Sequence, residues 1–164
     1  MGTLTHRRFT LVRKILLGGA LLAALPVAFP ALTVTESTSP TLGVLLTGAT
    51  GRNFILNTDG TVSGTDSADY VSGAVSGALS VKNTGPSQSA NILADNFSST
   101  GNVSINAVPC KYHTSAATTC DGSGINVTLQ ATKTLLVGVD LDTTAAHTGG
   151  QTASATYDIT VTIQ

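Results

Sequence analysis

Apolar and polar residues alternate without a break at the end of the chain. Tyr157, Ile159, Val161 and Ile163 fall on one side, and Thr156, Asp158, Thr160, Thr162 and Gln164 on the other. A period of two is that of a strand with one face in a core. Similar alternation, or a short unbroken apolar run, recurs at 31–37, 41–47, 52–57, 77–83, 90–97, 103–109, 125–131, 134–142 and 154–163. Asp59-Gly60 and the TGPS at 84–87 read as turns. The stretch 62–73, VSGTDSADYVSG, reads as mostly loop, since its Ser, Gly and Asp fit no period. No segment beyond the first thirty residues has a clean helical period. About nine or ten short strands, spaced by roughly 8–12 residues, predict an all-β antiparallel β-sandwich, immunoglobulin-like or jelly-roll-like. An outer-membrane barrel would need girdles of aromatic residues. The chain has 4 Phe, 3 Tyr and no Trp.

Charge divides the 164 residues into a leader and a single domain. Arg7, Arg8, Arg13 and Lys14 precede the apolar run ILLGGALLAALPVAFPA. Basic residues followed by such a run predict a secretory signal peptide over 1–28, with cleavage between 24 and 31. Pro26 and Pro30 cut the run short of the ~20 residues that a retained membrane helix needs, so no stable membrane insertion is expected after cleavage. A prepilin leader fits less well, because Arg8 and Arg13 stand where it has Gly and Glu. A twin-arginine signal fits less well too, because the Phe follows the arginine pair too closely. No Cys follows the run to carry a lipid anchor. Residues 29–164 then form the exported domain, in the periplasm, at the cell surface or outside the cell. Arg52, Lys82, Lys111 and Lys133 face nine acidic residues there, a balance of about −5, which repels nucleic acid.

Candidate chemistry is sparse. Cys110 and Cys120 are the only cysteines, and in an exported chain two cysteines predict one disulfide. The rival reading is a metal site of Cys110, His113 and Cys120, one ligand short of a structural zinc site. Asp140 and Asp142 share a strand face and read as a solvated strand end, with calcium or acid–base work as the alternative. Asp59, Asp66 and Asp69 lack calcium-loop spacing. Ser76 sits in GAVSG, one place away from a nucleophile elbow, with His113 and His147 as the available bases. Asn96, Asn102 and Asn126 begin chance-level glycosylation sequons. Nothing here predicts an enzyme or a cofactor.

Two stretches resemble a known family. LLVGVDLDTTAAHTGGQTASATYDITVTIQ is similar to the end of the bacterial exported family called domain of unknown function 4402. Gly138 and Leu141 match a "vGgtL" segment of that family, and Thr160 and Val161 its final strand. The opening LTVTESTSPTLGVLLTGATGRNFILNTDGTVSG and the central GALSVKNTG fit as well. Ile163 replaces a terminal aromatic, Ala155 a common Gly, and TLGVLL lacks a usual Phe. The resemblance implies a small exported sandwich similar to fimbrial subunits, with no catalytic residues.

Physical reasoning leads the same way. An exposed strand edge templates pairing with another chain. The expected strand-exchange segments are Leu32 and Val34 at the start of the domain, as donor, and Tyr157, Ile159, Val161 and Ile163 at its end. The expected function is a non-catalytic fimbria-like subunit or surface-assembly component. Its partners would be copies of itself, other exported subunits and a periplasmic chaperone. The alternative is a monomeric module that binds a surface glycan or another exported protein.

Overall fold

The computed structural model describes residues 32–45, 50–147 and 151–164. The expected leader, its cleavage site and the end of the 41–47 run lie outside them. The protein is all-β, with the sandwich-like architecture that the alternation predicts. Its strands are β1 (Leu32–Thr38), β2 (Val44–Leu45), β3 (Asn53–Leu56), β4 (Val62–Ser63), β5 (Tyr70–Ser72), β6 (Gly77–Asn83) and β7 (Gln88–Thr100). They continue as β8 (Val103–Ala107), β9 (Pro109–Tyr112), β10 (Thr118–Thr119), β11 (Ile125–Leu129), β12 (Thr132–Val137), β13 (Val139–Thr143) and β14 (Ser154–Ile163).

Four antiparallel sheets have the orders β1-β6-β12-β9-β10, β4-β3-β13-β8, β11-β7-β14 and β2-β5. The first two join into one bent layer. Only Val108 separates β8 from β9, and only Gly138 separates β12 from β13. The combined 132–143 segment takes β9 and β8 along one side and β6 and β3 along the other. Leu135, Val137, Val139 and Leu141 stay buried through the bend. Gly138 is required at that point. A Cβ there would overlap the Leu56 carbonyl oxygen, while its amide donates to the Pro109 carbonyl at 2.7 Å.

The β11-β7-β14 sheet packs against this layer around one core. Ala90, Ile92, Ala94, Tyr157, Ile159 and Val161 meet Leu56, Leu79, Val81, Leu135 and Val137 within a single apolar cluster. The buried Tyr157 hydroxyl donates to the Gly138 carbonyl at 3.1 Å, tying β14 to the bend in the opposite layer. Burial lifts that hydroxyl well above the usual tyrosine range. The Cys110–Cys120 disulfide, with Cα atoms 5.9 Å apart, pins the 111–119 loop to the core. Both sulfurs are committed to it, so they are not thiolate ligands for a metal.

Several expected boundaries moved. The 134–142 strand divides at Gly138. The 125–131 strand stops at Leu129, because Ala131 takes the left-handed φ of 43° to turn the chain into β12. The 62–73 loop holds β4, β5 and a 3-10 turn at Ser67–Asp69. β7 runs on to Thr100 through a bulge in which Asn96 and Phe97 together oppose Tyr157, with Asn96 at φ 53°. Ile163 leaves the buried set. It is 41% exposed, whereas Ile159, four residues earlier on the same face, is 1% exposed.

Candidate assembly interface

The expected exchange residues lie on two sheet-edge strands. β1 pairs with β6 of its own chain, setting Leu32 opposite Asn83 and Val34 opposite Val81. Leu32 is buried and Val34 half-buried. β14 pairs with β7 along its length, and among the described residues no strand lies on its other side. β11 is the opposite edge of that sheet.

Backbone phase decides what these edges offer. In an antiparallel ladder, alternate residues turn both backbone groups toward the partner strand. The Gln164 amide donates to the Ser89 carbonyl at 2.9 Å. The even-numbered residues of β14 therefore face β7, and Ile159, Val161 and Ile163 turn their backbone groups to the other side, where no described strand lies. Across the other layer, Asn83 N–H donates to the Ala131 carbonyl at 2.8 Å and His113 N–H to the Thr134 carbonyl at 2.8 Å. That phase turns Thr33 and Thr35 of β1 toward β6 and leaves Leu32, Val34 and Glu36 with outward backbone groups. On both β1 and β14, then, residues with open backbone groups are those whose side chains point to the core. β11 has the reverse phase. Ala94 N–H donates to the Cys120 carbonyl at 2.8 Å, so even β7 residues face the β11 side. The open backbone groups of β11 are those of Asn126 and Thr128.

These edges carry little to discourage pairing. β14 has the sequence SATYDITVTI, with Asp158 its one charge. β1 is LTVTEST, with Glu36 alone, and β11, INVTL, has none. Neither Pro nor Lys occurs in any of the three, although these are the usual blunting residues.

Among the described residues, lysine is confined to one layer. Lys82, Lys111 and Lys133 all lie on the five-stranded sheet, in β6, β9 and β12. The outer face of the three-stranded sheet carries Asp95 and Asp158 directly opposite one another. Asn96 Nδ2 donates to Asp158 Oδ2 at 3.0 Å, whereas buried Asp95 Oδ1 has no partner among the described residues. Burial, and then the neighbouring Asp158, raise the Asp95 carboxyl above its ordinary range.

The other candidate residues have structural duties. Asp140 and Asp142 do share a face of β13, and Asn53 Nδ2 donates to both, at 2.7 and 2.9 Å. Asp66 accepts from Arg52 Nη1 at 2.5 Å and from the Asn53 amide at 2.9 Å, and Asp69 lies 3.2 Å from the same Arg52 nitrogen. The Asn53 amide and Arg52 together hold the Asp66 carboxyl down at about 2. Sequence reasoning missed this anchor, whose one signal was a lone Arg ahead of an Asp-rich loop. Asp59 accepts from the Thr61 amide at 3.0 Å, as a turn residue does. His113 Nε2 lies 3.2 Å from Lys133 Nζ, and His147 Nε2 lies 2.6 Å from the Gly101 carbonyl oxygen. Ser76 precedes β6, beside the end of β12 remote from His113. The structure does not bring the three together. Among the described residues, no three His, Cys, Asp or Glu side chains group closely enough to hold a metal ion, and no helix is long and apolar enough to cross a membrane. No protein-family model matches the chain, and neither a curated protein nor a solved structure matches it.

Proposed function

We propose that the chain is an exported, non-catalytic structural subunit that joins copies of itself, or other exported subunits, through the borders of its sheets. One observation carries this reading: among the described residues β14, ten residues long, is a sheet edge with a single charge and no Pro, Gly or Lys. The basic, apolar leader sequence supports export, as does the disulfide, a bond that persists in oxidising compartments. The resemblance to the exported family 4402 supports a fimbria-like role. A chaperone in the periplasm would cover such edges before assembly. The test is sedimentation and electron microscopy of the purified exported chain. Filaments or concentration-dependent oligomers are expected, and their loss on deletion of 29–38. A monomer at every concentration, together with a hit on a glycan array, would replace this reading with a binding module.

A further inference from the structure

We infer that copies of this chain also stack through their faces: the outer face of the β11-β7-β14 sheet in one copy seats on the outer face of the five-stranded sheet in the next, with Lys82 entering beside Asp95 and Asp158. The inference rests on the proposed role as an assembling subunit and adds a contact that the sheet borders do not supply.

Three observations select this contact. The first is the sign of charge at outward positions. Residues directly opposite in a ladder share a face. Lys82 stands opposite exposed Thr132, and Lys111 opposite Leu136 of the same outward phase, so both lysines lie on the outer face of the five-stranded sheet. Glu36, the one acid in the strands of that sheet, stands opposite buried Leu79 and takes the inward phase. Strands β7, β11 and β14 contain no Lys or Arg, and Asp95 and Asp158 hold outward positions directly opposite one another. The two outer faces lie on opposite sides of one core, so each copy offers one face of each sign.

The second is which charges are left over. Among the described residues, the ion pairs are those of Arg52. Asp95 Oδ1 is buried without a hydrogen-bond partner there, and Asp158 beside it is held by a neutral amide, that of Asn96. On the other face, Lys111 has a counter-charge in Asp59, whose carboxyl is lowered first by Thr61 and also by this lysine. Lys82 has none opposite it on either neighbouring strand, where Thr33 and Thr132 flank it. An ammonium group set beside both carboxylates offsets their mutual repulsion and gives the buried oxygen a donor.

The third is shape. Lys82 rises among short neighbours, Thr33, Thr132 and Ser80, so its ammonium stands clear of the face. Sheets stacked face to face lie about 10 Å apart, a gap that a four-carbon lysine stem and an aspartate together span. Two like faces would set acid against acid or lysine against lysine, which disfavours the symmetric unions. Unlike faces joined head-to-tail leave one face of each sign free at the two ends, so addition continues.

A charge cycle read by sedimentation of the exported chain tests the contact. K82E should weaken association about 5-fold, the scale of an ion pair lost and replaced by repulsion. In a chain already carrying D95N and D158N, the same K82E change should matter less than about 2-fold, because the carboxylates that repel it are gone. K111E, on the same face but beside Asp59, should also stay below about 2-fold. Added salt should weaken the wild type more than the D95N/D158N variant. Urea unfolding of each variant separates association from folding. Association indifferent to K82E, a K82E effect equal in both backgrounds, or K111E as damaging as K82E would overturn the face contact and leave the border reading standing. A wild-type monomer at every concentration would overturn both.

Discussion

Ile159 and Ile163 provide an internal control for where the core ends. They share a residue type, a strand and a face, yet one is 1% and the other 41% exposed. Replacing Ile159 by Ala removes three buried carbons from a cluster that includes Ile92, Leu135 and Tyr157. Transfer and cavity contributions together give a loss of about 2–5 kcal/mol. Position within the strand favours the upper half of that range, because Tyr157 and Val161 on either side are also buried and leave little room to collapse. At Ile163 the same substitution deletes atoms that already touch water, so the loss should stay below about 1 kcal/mol. Urea unfolding of the oxidised chain, followed by far-ultraviolet circular dichroism, reads both values. The slope should be unchanged, so the midpoints carry the difference. Equal losses at the two sites would refute the reasoning, since they would mean that the apolar row is buried to the end of β14.

Three other perturbations test separate parts of the fold. Gly138→Ala forces a methyl onto the Leu56 carbonyl and should cost about 3 kcal/mol or more by thermal or urea melting, because backbone cannot yield as a side chain can. Ala131→Gly relieves a left-handed φ of 43° and should raise stability by about 1 kcal/mol. The pH dependence of the urea midpoint should carry two opposed contributions. Asp66, held at about 2 against an ordinary 3.8, stabilises the fold above pH 3.8, and that contribution is lost as pH falls toward 2. Asp66→Asn removes this acid-side loss. Asp95 is raised, so its contribution declines as pH climbs from 3.8 through its folded value, and Asp95→Asn should stabilise the monomer at neutral pH.

Alternation was legible because burial enforces it. β6 and β14 occupy 77–83 and 154–163, as the pattern predicts, and Cys110 joins Cys120. The change of sheet at Gly138 was not legible. Leu135, Val137, Val139 and Leu141 keep one phase through the bend, so nothing in the pattern marks where β6 gives way to β3 as the neighbour. The bulge at Asn96–Phe97 was hidden for a related reason: it matters to the partner strand's register, which a single segment does not encode. The Arg52 anchor joins 52 to 66 and 69 across a hairpin and a turn, and local spacing gives no hint of it. Edge position is likewise a property of neighbours. The final strand's apolar face could be read from the sequence, but its place at the border of the described sheet and its backbone phase required the fold.

The distribution of lysine sharpens the case that the edges are built to be used. A single lysine on a border strand is the simplest obstacle to edge pairing. The described chain has three, so the residue type is at hand. All three lie on β6, β9 and β12, interior strands of the five-stranded sheet. Thr, Ser, Val and Ile dominate β1 and β14 instead, and these residues favour the extended state. A monomer under pressure to stay apart would place a lysine on the border, whereas the lysines here sit one strand in, on β6 and β9, and two strands in, on β12.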